Sequence, residues 1–282
     1  LHSNITKRLK NRGGKIVYFV KRSFSGRYLS GFLLGLIVVL LHVVFAVGFL
    51  RMQIGEFKNS PEAFCPYYKW IMGDTIWSLI FSLMIPFMAA LGNSQMTYDD
   101  ANSGFIMHVL QKKGKIGYVL GSLTSVYAVT FIETVLVLAA DVMFVFLLLP
   151  NVLPDQVLNS GEGYSRLFTY HVEWMYSKPF KLILFYIVLS GCAAGLFGML
   201  TAVCGLYFSN RFTVMFSGFI IGLIFFVLAN QQIVNLPSFL LVLPVMSQMY
   251  LPSLGCLAAF YLVCVALLFV FQIVGVRKHA SI

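Results

Sequence analysis

Three ionisable side chains, His42, Glu133 and Asp141, stand inside long apolar runs of this 282-residue chain. A charge at the centre of a bilayer costs about 3 kcal/mol on insertion scales, so such a group is expected to face other protein or a path for a polar solute. Thr130, Glu133, Thr134, Val137 and Asp141 recur at helical spacing and form one polar seam along the run 116–149. His42 lies midway along the run 28–50, at a depth similar to Glu133, and is expected to pair with it. These three residues are the candidate translocation path. The competing reading is a neutral Glu133 hydrogen-bonded within one subunit.

A second group lies in the polar insert MTYDDANSGFIMHVLQKKGKIGYVLG, which begins at Met96. Thr97 is expected to cap a helix over 97–113. Asp99 and Asp100 then fall in its first turn and Lys112, Lys113 and Lys115 at its far end, as the helix dipole favours. Ile106, Val109 and Leu110 share one face by three-and-four spacing, which suits a helix gripped by a partner.

Soluble catalytic signatures do not accompany these groups. The chain has no G-x-x-x-x-G-K-[ST], no H-E-x-x-H and no G-x-S-x-G, so neither Walker-type nucleotide binding nor the common hydrolase chemistries are expected of it. The five cysteines show no paired spacing for zinc, and no bound metal or cofactor is expected.

The elements that must position the residues are read from composition. With 59% hydrophobic and 11% charged residues, the chain cannot present a polar exterior to water. An all-α polytopic membrane protein is the expected fold class, because backbone groups in lipid must be satisfied within helices about 20 residues long. Apolar runs at 28–50, 75–95, 116–149 and 182–208 give four spans, and the uncharged stretch 212–276 gives two more. Between those two, 231–252 carries Asn235, Pro237, Pro244 and Pro252 and is expected to form a re-entrant hairpin at the outer face. Six spans then occupy 28–276, with an outer loop at 150–180 whose aromatic residues rest on the headgroups, and a tail at 277–282.

The formal charge of +10 is a topology signal and not a nucleic-acid footprint. With both termini in the cytosol, Lys112, Lys113, Lys115, Arg211, Arg277 and Lys278 join the basic N-terminus on one side, while charges on the other side balance. The first 27 residues hold eight basic residues and no acidic one, with Ile16, Val20 and Phe24 on one face. Such a segment is expected to lie as an amphipathic helix on anionic lipid.

Taken in order, the acidic pair Asp99 and Asp100, Gly104, the apolar run from Phe105 to Leu110, the basic turn Lys112 to Lys115, and Gly121 resemble the cytosolic loop of type-2 ABC transporter permeases. The stretch KIVYFVKRSFSGRYLSG resembles the elbow helix before their first span, and the SNR turn at Ser209 to Arg211 matches a tight turn between their fourth and fifth spans. The acidic pair stands where the family often has Glu, and Lys113 and Gly114 stand where it often has Pro. The resemblance implies the membrane subunit of an ABC exporter in a bacterial cell membrane. Two copies of a separate ABC ATPase would bind ATP and Mg and dock on a coupling helix at Asp99, Asp100, Gly104, Ile106, Val109, Leu110 and Lys113. A second permease copy or a paralogue would complete the path.

Of four Gly pairs at helix spacing, Gly31 with Gly35 and Gly218 with Gly222 lie on the spans that form much of the subunit interface in that family. Packing within one subunit is the alternative reading of each pair. Amphipathic peptides, toxins or lipophilic compounds are the expected substrates, with an ion-coupled secondary transporter as the alternative and an intramembrane enzyme behind it.

Overall fold

In a computed structural model, residues 29–55, 61–159, 164, 169–230 and 251–280 are described, and the expected elbow at 1–27 lies outside them, as does the re-entrant hairpin at 231–252 apart from its last two residues. Among the described residues all regular structure is helical. Six helices are long and apolar enough to cross a membrane: α1 (Ser30–Gln53), α2 (Thr75–Leu91), α5 (Lys115–Leu148), α7 (Pro179–Cys204), α8 (Arg211–Asn230) and α9 (Leu254–Ala280). Short helices α3 (Met96–Asn102) and α4 (Phe105–Lys113) join α2 to α5, and α6 (Glu173–Ser177) precedes α7.

Local chemistry sets several boundaries. Asp74 caps α2 by accepting from the backbone N–H groups of Ile76 and Trp77 at 3.0 Å each. Pro179 opens α7, where its missing N–H would have had no helical partner. Helix α9 continues through Arg277, Lys278 and His279, so the expected separate tail at 277–282 belongs to the helix as far as Ala280. The basic side chains there follow the apolar span without breaking it, since they favour a helix C-terminus.

Hydrogen bonds fix which helix ends share a side. Ser30 Oγ donates to the Leu91 carbonyl (2.6 Å), Tyr98 to Ser209 (2.9 Å), and His279 Nε2 meets the Leu206 carbonyl (2.9 Å). At the opposite end Cys65 reaches the Val152 carbonyl (3.2 Å) and Tyr170 the Pro252 carbonyl (2.5 Å). The six long helices therefore alternate in direction. Lys112, Lys115, Arg211, Arg277 and Lys278 gather at one end, hereafter the basic end.

The core centres on α5 against α7, the most extensive helix pair. Gly191 and Gly195 make this approach possible. A Cβ on Gly191 would come within 2.9 Å of the Phe131 ring, and one on Gly195 within 2.5 Å of the Tyr127 ring. Large apolar side chains stay exposed on α1, α8 and α9, among them Phe45, Phe212 and Leu262, as a lipid-facing surface requires.

The connection between α1 and α2 is not a solvated loop but packs into the bundle. Tyr68, Trp70, Ile71 and Met72 are each at most 1% exposed and join the same core as Tyr186 and Val145. Tyr170 and Met175 of the expected outer loop likewise pack into this core. Burial pushes the Tyr170 phenol up to about 12, so it donates as a neutral hydroxyl throughout the physiological range.

Candidate functional site

The polar insert folds as two helices, in place of the single helix expected over 97–113. Ser103 and Gly104 interrupt it, and Gly104 adopts φ 69°, a left-handed conformation that glycine enters without the clash a Cβ brings. Gln95, and not Thr97, occupies the N-cap of α3. Thr97 sits one residue inside that helix, fully buried.

Burial divides the proposed coupling residues. Asp100 is completely buried and accepts from the Tyr118 hydroxyl of α5 at 3.2 Å, whereas Asp99 is only half-buried. Ile106, Val109 and Leu110 form one face, as their spacing predicts, but that face is turned inward. It packs with Tyr118, Val119 and Leu123 of α5, with Val203 of α7 and with Val276 of α9. Leu110 is therefore a core residue in this chain and does not present a docking surface. The outward face of α4 carries Phe105, Met107, His108, Gln111 and Lys112. Lys113 closes the helix, and Gly104, which opens it, is exposed with open space around it.

The α2–α3 junction is tied to the turn between α7 and α8. Arg211 Nε donates to Gln95 Oε1 at 2.7 Å, and Gly205 lies so near Tyr98 that a Cβ there would come 2.9 Å from its backbone nitrogen. The short helices are thus braced by α5, α7, α8 and α9 together.

Nearer the opposite end, Asp141 accepts two hydrogen bonds in the core. His42 Nδ1 donates to Oδ1 at 2.6 Å, and the Ile71 backbone N–H donates to Oδ2 at 2.7 Å. His42 and Asp141 are 1% and 0% exposed. His42 pairs with Asp141 and not, as expected, with Glu133, because Asp141 lies two helical turns nearer the end where the largely buried segment 64–73 descends. Residues Val43–Val47 form a π-helical turn immediately after His42, a local widening that often accompanies functional positions. His42 Nε2 faces the core with no hydrogen-bond partner among the described residues, its ring 5.4 Å edge-on from Trp77.

Glu133 stands apart from this pair. Thr130, Thr134, Val137 and Asp141 of its seam are buried, whereas Glu133 is half-buried at the border with exposed Ile132 and Leu136. It has no hydrogen-bonding or ionic partner among the described residues. The three candidate path residues are therefore not one cluster.

The glycines expected at a subunit interface serve the single chain. A Cβ on Gly31 would overlap the Met88 carbonyl oxygen, and one on Gly35 would come within 2.8 Å of Val137. A Cβ on Gly218 would come 3.3 Å from the Thr201 hydroxyl oxygen, and Gly222 is buried. The close approach at Gly31 and Gly35 joins α1 to α2 and α5 within the one chain, as the alternative reading of these pairs expects.

Sequence reasoning missed the segment 61–74 as part of this site. Its signal is compositional: PYYKWIMGD at 66–74 is richer in large aromatic and apolar residues than a solvated loop needs. Among the described residues no group of three His, Cys, Asp or Glu could hold a metal. No protein-family model, no curated protein and no solved structure matches the chain.

Proposed function

We propose that the chain is the membrane-spanning permease of an ATP-driven exporter, with hydrolysis carried out by a separate ATPase on the cytosolic side. The observation that supports this reading most is the two-faced helix α4. One face is fixed in the bundle by Ile106, Val109 and Leu110, and the other offers Phe105, Met107, His108, Gln111 and Lys112 to a partner. A helix held in this way transmits a push at its exposed face to α5, α7 and α9 as a lever, because packed interiors yield little. The resemblance of the insert to type-2 ABC permeases supports the same assignment. Amphipathic peptides or lipophilic compounds are the proposed cargo, and a second copy or a paralogue completes the path.

Purification from the native membrane tests the proposal. An ATP-hydrolysing subunit should be retained by the wild-type chain and lost from a Met107→Glu, Gln111→Glu double variant that unfolds at the wild-type temperature. If the folded variant exported cargo and retained its ATPase normally, the coupling assignment would be wrong.

The His42–Asp141 pair favours a second reading, an ion-coupled carrier, because buried acid and imidazole groups serve proton relays in membranes. Substrate-dependent currents driven by a pH gradient, in vesicles free of ATP, would support that alternative. Their absence alongside ATP-dependent export would exclude it.

A further inference from the structure

Helices α8 and α9 both pack on α7 but scarcely on each other. They meet where the rings of Phe225 and Phe260 approach to 5.9 Å between centroids. From that level toward the basic end a cleft of about 540 Å³ opens between the three helices. Leu200 and Val203 form its floor, Ile221 and Phe225 one wall, and Leu267 and Phe271 the other. Its lining is carbon and sulfur throughout. The hydroxyl of Tyr207, at its base, is turned to the Phe271 carbonyl (2.7 Å), so even this residue offers the cleft only its ring.

We infer that this cleft seats one acyl chain of an anionic phospholipid whose headgroup rests against the basic end of α9. Helical interiors are close-packed, and a void of this size forfeits the contacts of every atom that lines it. Water does not fill it, since an apolar cavity without hydrogen-bonding partners stays dry. The occupant is therefore apolar and enters from the side, between α8 and α9, where lipid is the surrounding medium.

Charge selects the headgroup. Leu267, Phe271 and Lys278 fall on one face of α9 by helical spacing, and Lys278 stands about 10 Å beyond Phe271 toward the basic end. Arg277 and Lys278 are exposed there, and Arg211 begins the neighbouring helix. Asp100 is fully buried and Asp99 half-buried, and these two acids are outnumbered by Lys112, Lys115, Arg211, Arg277 and Lys278, so the rim above the apolar slot is net basic. The inference does not depend on the exporter reading.

The test places the full chain in nanodiscs of phosphatidylcholine containing a trace of phosphatidylglycerol with a photoactivatable acyl tail. Labelling should map to 196–208 and 264–271 and be competed by unlabelled phosphatidylglycerol. The competing strength of phosphatidylglycerol over phosphatidylcholine should fall at least fivefold in Lys278→Glu, which removes one surface basic group, worth about fivefold on anionic lipid, and adds an opposing charge. Leu267→Trp fills the slot and should abolish labelling there while the protein unfolds at the wild-type temperature. If Leu267→Trp destabilises the bundle, Lys278→Glu and competition on the wild-type chain carry the test. Equal competition by phosphatidylcholine, labelling spread evenly over the lipid-facing helices, or displacement by a free fatty acid but not by phosphatidylglycerol would each overturn the inference.

Discussion

Asp141 holds two donors that come from distant parts of the chain, so its loss is felt twice. Asp141→Ala leaves His42 Nδ1 and the Ile71 N–H without an acceptor in the core and should cost about 3 kcal/mol, the usual effect of leaving buried donors unsatisfied. Asp141→Asn keeps one carbonyl acceptor and should cost less than half as much. Thermal unfolding in detergent measures both, and equal losses would show that acceptor geometry at this position is irrelevant. The sequence marks His42 and Asp141 as intramembrane polar groups, but it cannot pair them. Depth along each run suggests Glu133 as the partner of His42, whereas the pairing depends on helix rotation and on a buried loop that hydropathy reads as external.

Packing and backbone conformation separate two glycines in neighbouring elements. Gly31→Ala drives a Cβ against the backbone of α2, where the Met88 carbonyl cannot rotate away as a side chain could, and overpacking of this kind costs about 1 to 3 kcal/mol. Gly104→Ala meets no atom within 4 Å, but its φ of 69° puts a Cβ in the left-handed region at about 1 kcal/mol. The first substitution should lower the unfolding temperature of the whole bundle more than the second. A larger effect at Gly104 would mean that the α3–α4 break, and not the α1–α2 contact, limits stability. Helix α4 allows a similar comparison on its two faces. Leu110→Glu buries a carboxyl among Tyr118, Leu123 and Val276 and should prevent recovery of folded protein, while Met107→Glu on the exposed face should be recovered normally. The apolar periodicity of 106–110 is plain in the sequence, but periodicity shows only that a face is covered. Whether its own bundle or another chain covers it depends on how α3 and α4 fold back, which the Ser103–Gly104 break decides.

At the scale of the whole molecule, the six long helices and their alternation were legible because lipid leaves the backbone few alternatives to helix. Less legible was which intramembrane acid the bundle uses internally, since both lie on α5 and both belong to the polar seam. Their surroundings predict opposite responses to the same change. Asp141 is fully enclosed with two donors, so Asp141→Leu should destabilise the bundle by stranding them. Glu133 borders the lipid-facing residues Ile132 and Leu136 and has no partner among the described residues. Replacing it with leucine removes a group that costs about 3 kcal/mol on insertion scales, so Glu133→Leu should raise the yield of inserted, folded chain. Under the proposed exporter function, a partnerless acid at this border serves the transport path, so the same variant should lose export while gaining stability. Yield and unfolding temperature of the two leucine variants, measured beside transport in vesicles, decide the matter. If Glu133→Leu lost stability as Asp141→Leu does, Glu133 would have to be a structural residue whose partner lies in the chain itself.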